Sequence, residues 1–487
     1  MISATTCNGT NGTCTTATST PCQSGSGYCS IFSPSSCANR GDITWFHHVA
    51  NADVRILAIN GGDLYLGCGW GSAGAGSTTT FGGSTFTVNG ASDIALAILD
   101  KTSGAHLSSV PYGGASGEYP FAMAVSALGE VFLQGIYGFD GTGLPANLGG
   151  GSTHDLPYAG GTGLDIFFAE YNPDLTWRWS RRAGGTDDDQ PGNTNDFDSG
   201  SNAYTSGKWR LSTDFGTGPL TAVGDSDAFY VRYDTTDTAG KSIYFQTQPY
   251  NFTEGVLSVL GTTVLAGSFT ASITLDGANT LTSAGGSDVF AAAYNSAGTL
   301  QWKAQIGGAG DELGLAMARD TTGHVYIAGG FSQSMTVQTV SGPKVLTSNG
   351  GTDIFVLRLN ATGGIDWAIS FGGPGNEGVF QISCPTGGSL AIAGDFFSQV
   401  NFGSGVRTAM GSARDAFVAV FNGANGAPLW DREFGGALDD YALATVVDTD
   451  GTVYTSIDFQ ATVDFGTGTP ITVPANQFDS EVLRLTK

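Results

Sequence analysis

One pattern returns seven times along this chain, and a long repeat limits the fold more than any local propensity does. An Asp leads into an apolar strand as DIALAIL from Asp93, DIFFAEY from Asp165, DAFYVRY from Asp227 and DVFAAAY from Asp288. It does so again as DIFVLRL from Asp353, DAFVAVF from Asp415 and DSEVLRL from Asp479, at intervals of 72, 62, 61, 65, 62 and 64 residues. A second marker is a Gly-led strand that ends in an aromatic, such as GHVYIAGGF (323–331) and GSLAIAGDF (388–396). A third is a short aromatic strand that often closes on Gly–Gly, such as WKAQIGG at 302, WAISFGG at 367 and WDREFGG at 430. A fourth apolar element, such as LGLAMAR (313–319) and YALATVV (441–447), precedes each Gly-led strand.

Apolar residues alternate or run short, and Gly, Asn, Asp and Thr interrupt them every eight to twelve residues, which is the pattern of short antiparallel strands. Four strands per unit and seven units of about 64 residues predict an all-β chain: a seven-bladed β-propeller of four-stranded antiparallel blades. The last unit stops after its third strand, and residues 42–49 form a fourth strand with no unit of their own. The order therefore predicts that the N-terminal strand completes the last blade and removes an exposed edge.

These markers resemble the SBBP-type β-propeller repeat family over about residues 42–487. The match is best at IGGAGDE (306–312), GHVYIAGGF (323–331), TDIFVLRLN (352–360) and WAISFGG (367–373). The resemblance implies a propeller of the kind carried by secreted or surface proteins. It brings no catalytic motif.

Residues 1–41 lie outside the repeat. Cys7, Cys14, Cys22, Cys29 and Cys37 sit there among Thr, Ser, Gly and Asn, with little apolar content to bury. Such a stretch is expected to be stabilised by disulfides in an oxidising compartment. Zinc is the weaker alternative, since no CxxC pair or His accompanies these cysteines. Five is odd, so the fifth thiol pairs with Cys68, pairs with another chain or stays free. Cys384, in an apolar stretch, reads as a buried free thiol.

Net charge is −24, with 19 Lys and Arg against 43 Asp and Glu. That balance argues against coating nucleic acid or an anionic membrane, and no apolar run is long enough to span a bilayer. The first ten residues lack the regions of a signal peptide, so the chain is expected to be already processed or to leave its cell without one.

Candidate site residues follow from the repeat and from departures from it. Glu118, Asp196, Glu312, Glu377 and Asp440 each stand 11 residues before the Gly of the second strand. Glu254 and Asp53 are the nearest equivalents in the remaining units that carry one. This position should ring one mouth of the channel, where a cation, Ca²⁺ by preference for oxygen ligands, would relieve the repulsion. Repetition in nearly every blade favours the other reading, that each carboxylate ties its blade to a neighbour by hydrogen bonds. The Asp residues that open the third strands read as turn-fixing. The Trp residues at 45, 179, 302, 367 and 430 read as packing between blades rather than as a sugar-stacking row.

The insertion TDDDQPGNTND (186–196) gives an acidic binding-loop candidate with Asp187, Asp188, Asp189 and Asp198, without the spacing of a calcium loop. A second excursion covers 138–161. The five His form no metal motif, and there is no GxSxG elbow or Walker loop. Sequons stand at Asn8, Asn11, Asn251 and Asn360. The expected role is a non-enzymatic structural or adhesive propeller on an extracellular, cell or virion surface, joined to another protein or another copy through its head. A carbohydrate-binding propeller is the alternative, and a polysaccharide-cleaving enzyme a third reading.

Overall fold

The computed structural model describes residues 40–487, apart from 72–75, 139–143, 159–162, 224–225, 237, 246–250, 467–468 and 476, with side chains at 239–251 and 315 also outside the description. Before residue 40 it describes the backbone of short strands, in which Cys7 lies opposite Cys14 and Cys29 opposite Cys37. The side chains of these four cysteines and the whole of Cys22 lie outside the described residues. Cys68, expected as a possible disulfide partner, is instead a buried free thiol, as is Cys384. Cys68 packs in the apolar cluster with Val54, Leu66 and Val482.

The chain is an all-β propeller of four-stranded antiparallel blades. From the inside outward, the first blade is Ala52–Asn60, Asp63–Trp70, Asp93–Asp100 and His106–Tyr112. The next is Glu118–Val125, Val131–Tyr137, Asp165–Tyr171 and Trp177–Ala183. In the third, the inner strand is split into Gln190–Pro191 and Asp196–Phe197, followed by Ala203–Trp209, Asp227–Tyr233 and Ala239–Phe245. Then come Asn251–Val259, Thr262–Asp276, Asn279–Tyr294 and Leu300–Ile306, and after them Glu312–Arg319, Val325–Phe331, Asp353–Leu359 and Ile365–Phe371. Glu377–Ser383, Ser389–Phe397, Arg414–Asn422 and Pro428–Phe434 follow. The closing sheet is Tyr441–Val447, Val453–Phe459 and Asp479–Leu485, with Ile43–Val49 as its outer strand.

Apolar faces of consecutive sheets fill each seam. Val379, Ile392 and Phe396 of one blade meet Val356 and Ile354 of the blade before. The seam between the closing and first blades is filled in the same way, by Val482, Ala444 and Tyr454 against Leu64, Leu66 and Val54.

A Gly–Gly pair makes the close approach possible. A Cβ on Gly372 would fall on the Asp353 carboxyl, and a Cβ on Gly373 on the carbonyl of Gln399 in the next blade. Gly307 and Gly308, and Gly435 and Gly436, meet the same obstacles. Trp residues provide a second latch. Trp302, Trp367, Trp430 and Trp45 each cover a glycine of the next blade's outer turn, Gly363, Gly426, Gly41 and Gly104, all at positive φ. They are therefore packing residues and form no exposed row.

The connections between second and third strands are long, and most carry a small hairpin, as at Ser212–Asp214 with Pro219–Thr221 and Gln399–Asn401 with Val406–Thr408. All lie on the same end of the ring, because strand directions alternate. The other end carries tight turns such as 60–63 and 422–428. The hairpins turn apolar side chains inward: Phe402 packs with tilted rings against Phe371 and Phe417, centroids 5.3 and 4.5 Å apart.

Ile43–Val49 is held to Asp479–Leu485 by a full ladder in which Trp45 lies opposite Arg484. His48 reinforces it, with Nε2 donating to Asp479 Oδ2 and Nδ1 to Glu481 Oε2, both at 3.1 Å. These two bonds raise its pKa to about 9, against the opposing effect of burial.

Two expectations follow. Gly373→Ala should lower stability by about 1–3 kcal/mol, as overpacking does, measurable by denaturant melts. The His48 pKa is higher folded than unfolded, so its contribution is complete below pH 6.5 and lost as pH rises through about 9. The difference in Tm between the wild type and His48→Ala should therefore be larger at pH 6 than at pH 10, read by circular dichroism.

Candidate functional site: the channel and its upper mouth

The ring encloses a channel of about 600 Å³ lined by inner strands from around the whole propeller, among them Arg55, Phe121, Asn195, Arg319, Phe380 and Leu443. These strands share one irregularity. The ladder to the second strand shifts register at Arg55, Phe121, Glu254, Phe380 and Leu443. Such bulges re-aim a side chain, and Arg55, Phe121, Phe380 and Leu443 all line the channel. In four of these strands the bulge falls three residues after the first residue of the inner strand's pairing, as in Glu118 to Phe121 and Glu377 to Phe380. That offset is visible in the sequence and was not among the markers read above.

The carboxylates expected to ring a mouth do another job. Glu118, Glu312, Glu377 and Asp440 are buried. Each accepts the N–H of the second Gly of the preceding Gly–Gly pair: Gly114 at 3.2 Å, Gly308 at 2.8 Å, Gly373 at 3.1 Å and Gly436 at 2.7 Å. They fix the seam between blades. Among the described residues no three His, Cys, Asp or Glu side chains are placed to hold one metal ion, so these carboxylates do not converge into a cation ring.

Two members of that set are assigned elsewhere by the structure. In the third blade the seam residue is Asp189, which accepts the N–H groups of Gly185 and Arg210, both at 2.9 Å. Asp196 instead lies in the channel wall. It receives Arg319 Nε at 2.6 Å and Nη2 at 3.1 Å and the N–H of Ser258 at 2.9 Å. The insertion before it displaces the 11-residue offset. Glu254 is a bulge residue, bonded by Asn193 Nδ2 at 3.0 Å, and the seam position of its blade is Asn251. In the first blade that position is Ala52, and Asp53 lies one residue beyond it.

The other acidic-loop candidates are likewise engaged by nearby groups. Asp188 accepts the N–H of Leu164 at 3.0 Å, and Asp187 faces Arg210 at 3.5 Å. Asp198 closes its own turn on the N–H groups of Gly200 and Asn202. The third-strand Asp residues fix turns, as Asp93 does with Asn89 N–H and Asp353 with Asn349 N–H, both at 3.0 Å. Of the sequons, Asn360 uses its side chain within its own turn and on Asp366. Asn8, Asn11 and the Asn251 side chain lie outside the described residues.

The most unusual chemistry gathers at the upper mouth, where the closing blade meets the first two. The Tyr119 hydroxyl donates to Asp53 Oδ2, and the Ser480 hydroxyl to Asp458 Oδ1. The Asp53 and Asp458 carboxyls are also hydrogen-bonded to each other. Burial, and then the Asp53 charge, hold the Asp458 pKa well above the carboxylate range. Arg55 lies over the Tyr119 ring, 4.8 Å from its centroid. Beside this group is an apolar space of about 410 Å³ bounded by Asp53, Trp70, Tyr119, Phe121 and Ile136. Sequence reading placed Asp53 near this mouth; Asp458, Tyr119 and Arg55 lie in three different blades and carried no local signal.

No family model matches the chain. Over 166 residues, 34% of its length, it is 29% identical to the regulatory protein FlaEY of Caulobacter vibrioides. The chain spans only 17% of that protein. Among solved structures it is similar to the quinohemoprotein alcohol dehydrogenase of Comamonas testosteroni, at 13% identity and a TM-score of 0.39 over 91% of this chain and 76% of that one. It is also similar to the β-propeller domain of the trilobed protease of Pyrococcus furiosus, at 7% identity and a TM-score of 0.41 over 88% and 99%. An ulvan lyase aligns at 9% identity and a TM-score of 0.39 over 86% and 93%. At these scores the fold assignment stands on the chain's own strand order.

The seam carboxyls give a testable consequence. Burial raises Glu377 to about 8 and Glu312, Asp440 and Asp189 to about 7, each partly offset by its N–H donors. A folded pKa above the unfolded value means that the contribution is complete below about pH 4 and is lost as pH rises through 7 to 8. Tm should fall between pH 5 and pH 9. Glu377→Gln, which mimics the neutral acid, should reduce that fall. A Tm at pH 9 that rises with Ca²⁺ and drops with chelator would instead place a cation at these carboxyls.

Proposed function

We propose that this protein is a non-enzymatic, seven-bladed adhesive propeller that works outside the cell and presents its hairpin-bearing end to saccharides on a surface. The observation that carries this reading is the asymmetry of the ring. Long connections and their hairpins collect at one end, where Leu211, Val223, Phe397, Val406 and Met410 stay exposed, while the other end consists mainly of tight turns. Exposed apolar side chains on loops held by a rigid scaffold are a common basis of binding. The Cys-rich segment before residue 40 would anchor the ring to a partner chain or to another copy. The resemblance of the repeats to the SBBP type agrees with such a scaffold. No residue set assembled at the mouth by itself requires turnover, and the hydrogen-bonded Asp53–Asp458 pair serves as well to accept sugar hydroxyls.

An array of neutral and acidic oligosaccharides tests this. Binding is expected, and Val406→Glu, at a side chain 62% exposed, should weaken it about tenfold without moving Tm. Leu260→Ser on the opposite end, 74% exposed, should leave it unchanged. Release of new reducing ends from a polysaccharide would overturn the non-enzymatic reading.

A further inference from the structure

Two arginines reach the channel, and the ring treats them differently. Arg319 is engaged on Asp196 through two nitrogens. Arg55 is aimed inward by its bulge, yet among the described residues its Nε is buried without a hydrogen-bond partner. A buried donor left unpaired calls for an explanation. Asp458 is close enough to feel the Arg55 charge, but among the described residues this Nε donates to no nearby carboxyl. Asp53 is taken by Tyr119, and Asp458 by Ser480 and by Asp53 itself. The guanidinium carbon already lies 4.8 Å from the centroid of the Tyr119 ring, a cation–π contact that holds the group in place without using its N–H donors.

The surroundings narrow the class of ligand. A guanidinium edge matches a carboxylate by two parallel N–H bonds. Phe121 borders both the channel and the adjoining apolar space, so it offers a face to a ring. Asp53 lines that same space and accepts hydroxyl donors. Gln381 and Asn195 add amides farther along the channel. We propose that Arg55 is the anion-binding residue of a site in the upper channel for a carboxylate-bearing sugar, a hexuronic acid unit or the end of its oligomer. The carboxylate would lie on Arg55, the apolar face of the ring on Phe121 and its hydroxyls toward Asp53. Both cavities fall in the size range of small-ligand sites. A bare phosphate or sulfate would satisfy Arg55 but leave the Phe121 side unfilled. The inference rests on the saccharide reading above and names the sugar.

Calorimetric titration of the full chain decides it, with galacturonate, trigalacturonate, galactose, inorganic phosphate and sulfate as probes. Trigalacturonate is expected to bind and galactose not to. Arg55→Gln should weaken trigalacturonate at least about tenfold while Tm holds, and Asp53→Asn should weaken it less. If Arg55→Gln does not fold, Arg55→Lys, which keeps the charge but not the two-point geometry, should still weaken binding. Three results would overturn the site: no affinity for any acidic sugar, affinity unchanged in the Arg55 variants, or phosphate and sulfate bound as tightly as trigalacturonate. If the array still shows saccharide binding that Val406→Glu removes and Arg55→Gln does not, the adhesive reading stands and this site falls. If neither variant matters, both fall.

Discussion

The ring depends on the contact between the end of one blade and the start of the next, and that contact has no room for side chains. At Gly372 and Gly373 a single added carbon would strike a carboxyl on one side and a neighbouring backbone carbonyl on the other. The same glycine pair provides the N–H that a buried carboxyl needs in order to stay paired. Close approach and polar satisfaction are thus solved by one dipeptide, repeated along the chain. That is one physical reason why 75 of 487 residues are Gly. It also bears on why so many acids in a strongly acidic protein lie inside it: backbone N–H donors in the turns offset part of the cost of burying them.

The seam that closes the ring is built differently, because two distant parts of the chain meet there. Its turn from Val49 to Ala52 is three residues shorter than the one from Phe371 to Glu377, and it has neither the Gly–Gly pair nor a seam carboxylate. Asn51 adopts positive φ, and its N–H goes to Asp479 at 2.8 Å. His48 then bridges Asp479 and Glu481, while Arg432 holds Asp42 at 2.6 Å from the preceding blade. Charged pairs here replace the backbone donors used elsewhere. A closure made in this way is sensitive to pH in a manner the other seams do not share.

Strand starts were legible because each needs a recognisable residue. Asp93, Asp227 and Asp353 open third strands since a carboxylate there ties the preceding turn, and the spacing follows blade length. The orphan strand at 42–49 was legible for the same reason: an edge without a partner must find one. The blade-tying role of Glu118, Glu312, Glu377 and Asp440 was legible from their repetition, but a fixed offset misplaced two of the set. Counting back from Gly207 reached Asp196, yet the inserted loop shifts the count and Asp189 occupies the seam. Glu254 fell to the same shortcut. The hairpins passed unnoticed because runs such as 71–92 have turn-like composition, and their apolar residues, Phe81 and Phe86 for example, are too sparse to show a period. Asp53, Tyr119 and Asp458 come together only through ring closure, which brings residue 458 beside residue 53.

That convergence bears on why this mouth, rather than another part of the ring, carries the candidate site. Each ordinary seam uses its carboxyl to hold its own turn, so it has little to offer a ligand. Where the seam carboxylate is missing, as at Ala52, the adjoining position changes character: Asp53 stands where Leu313 and Gly378 stand in other blades. The second strand of the closing blade supplies Asp458 where the preceding blade has Asp395, and Asp395 is neutralised by Arg414. Asp458 has no such arginine at hydrogen-bond distance among the described residues and keeps a proton instead. A departure from the repeat at the closure therefore leaves Arg55 in the channel with an unpaired Nε, Asp53 and Tyr119 in the adjoining apolar space, and Phe121 bordering both. In a scaffold whose other seams are closed on themselves, this is the place where binding can be added without weakening the ring.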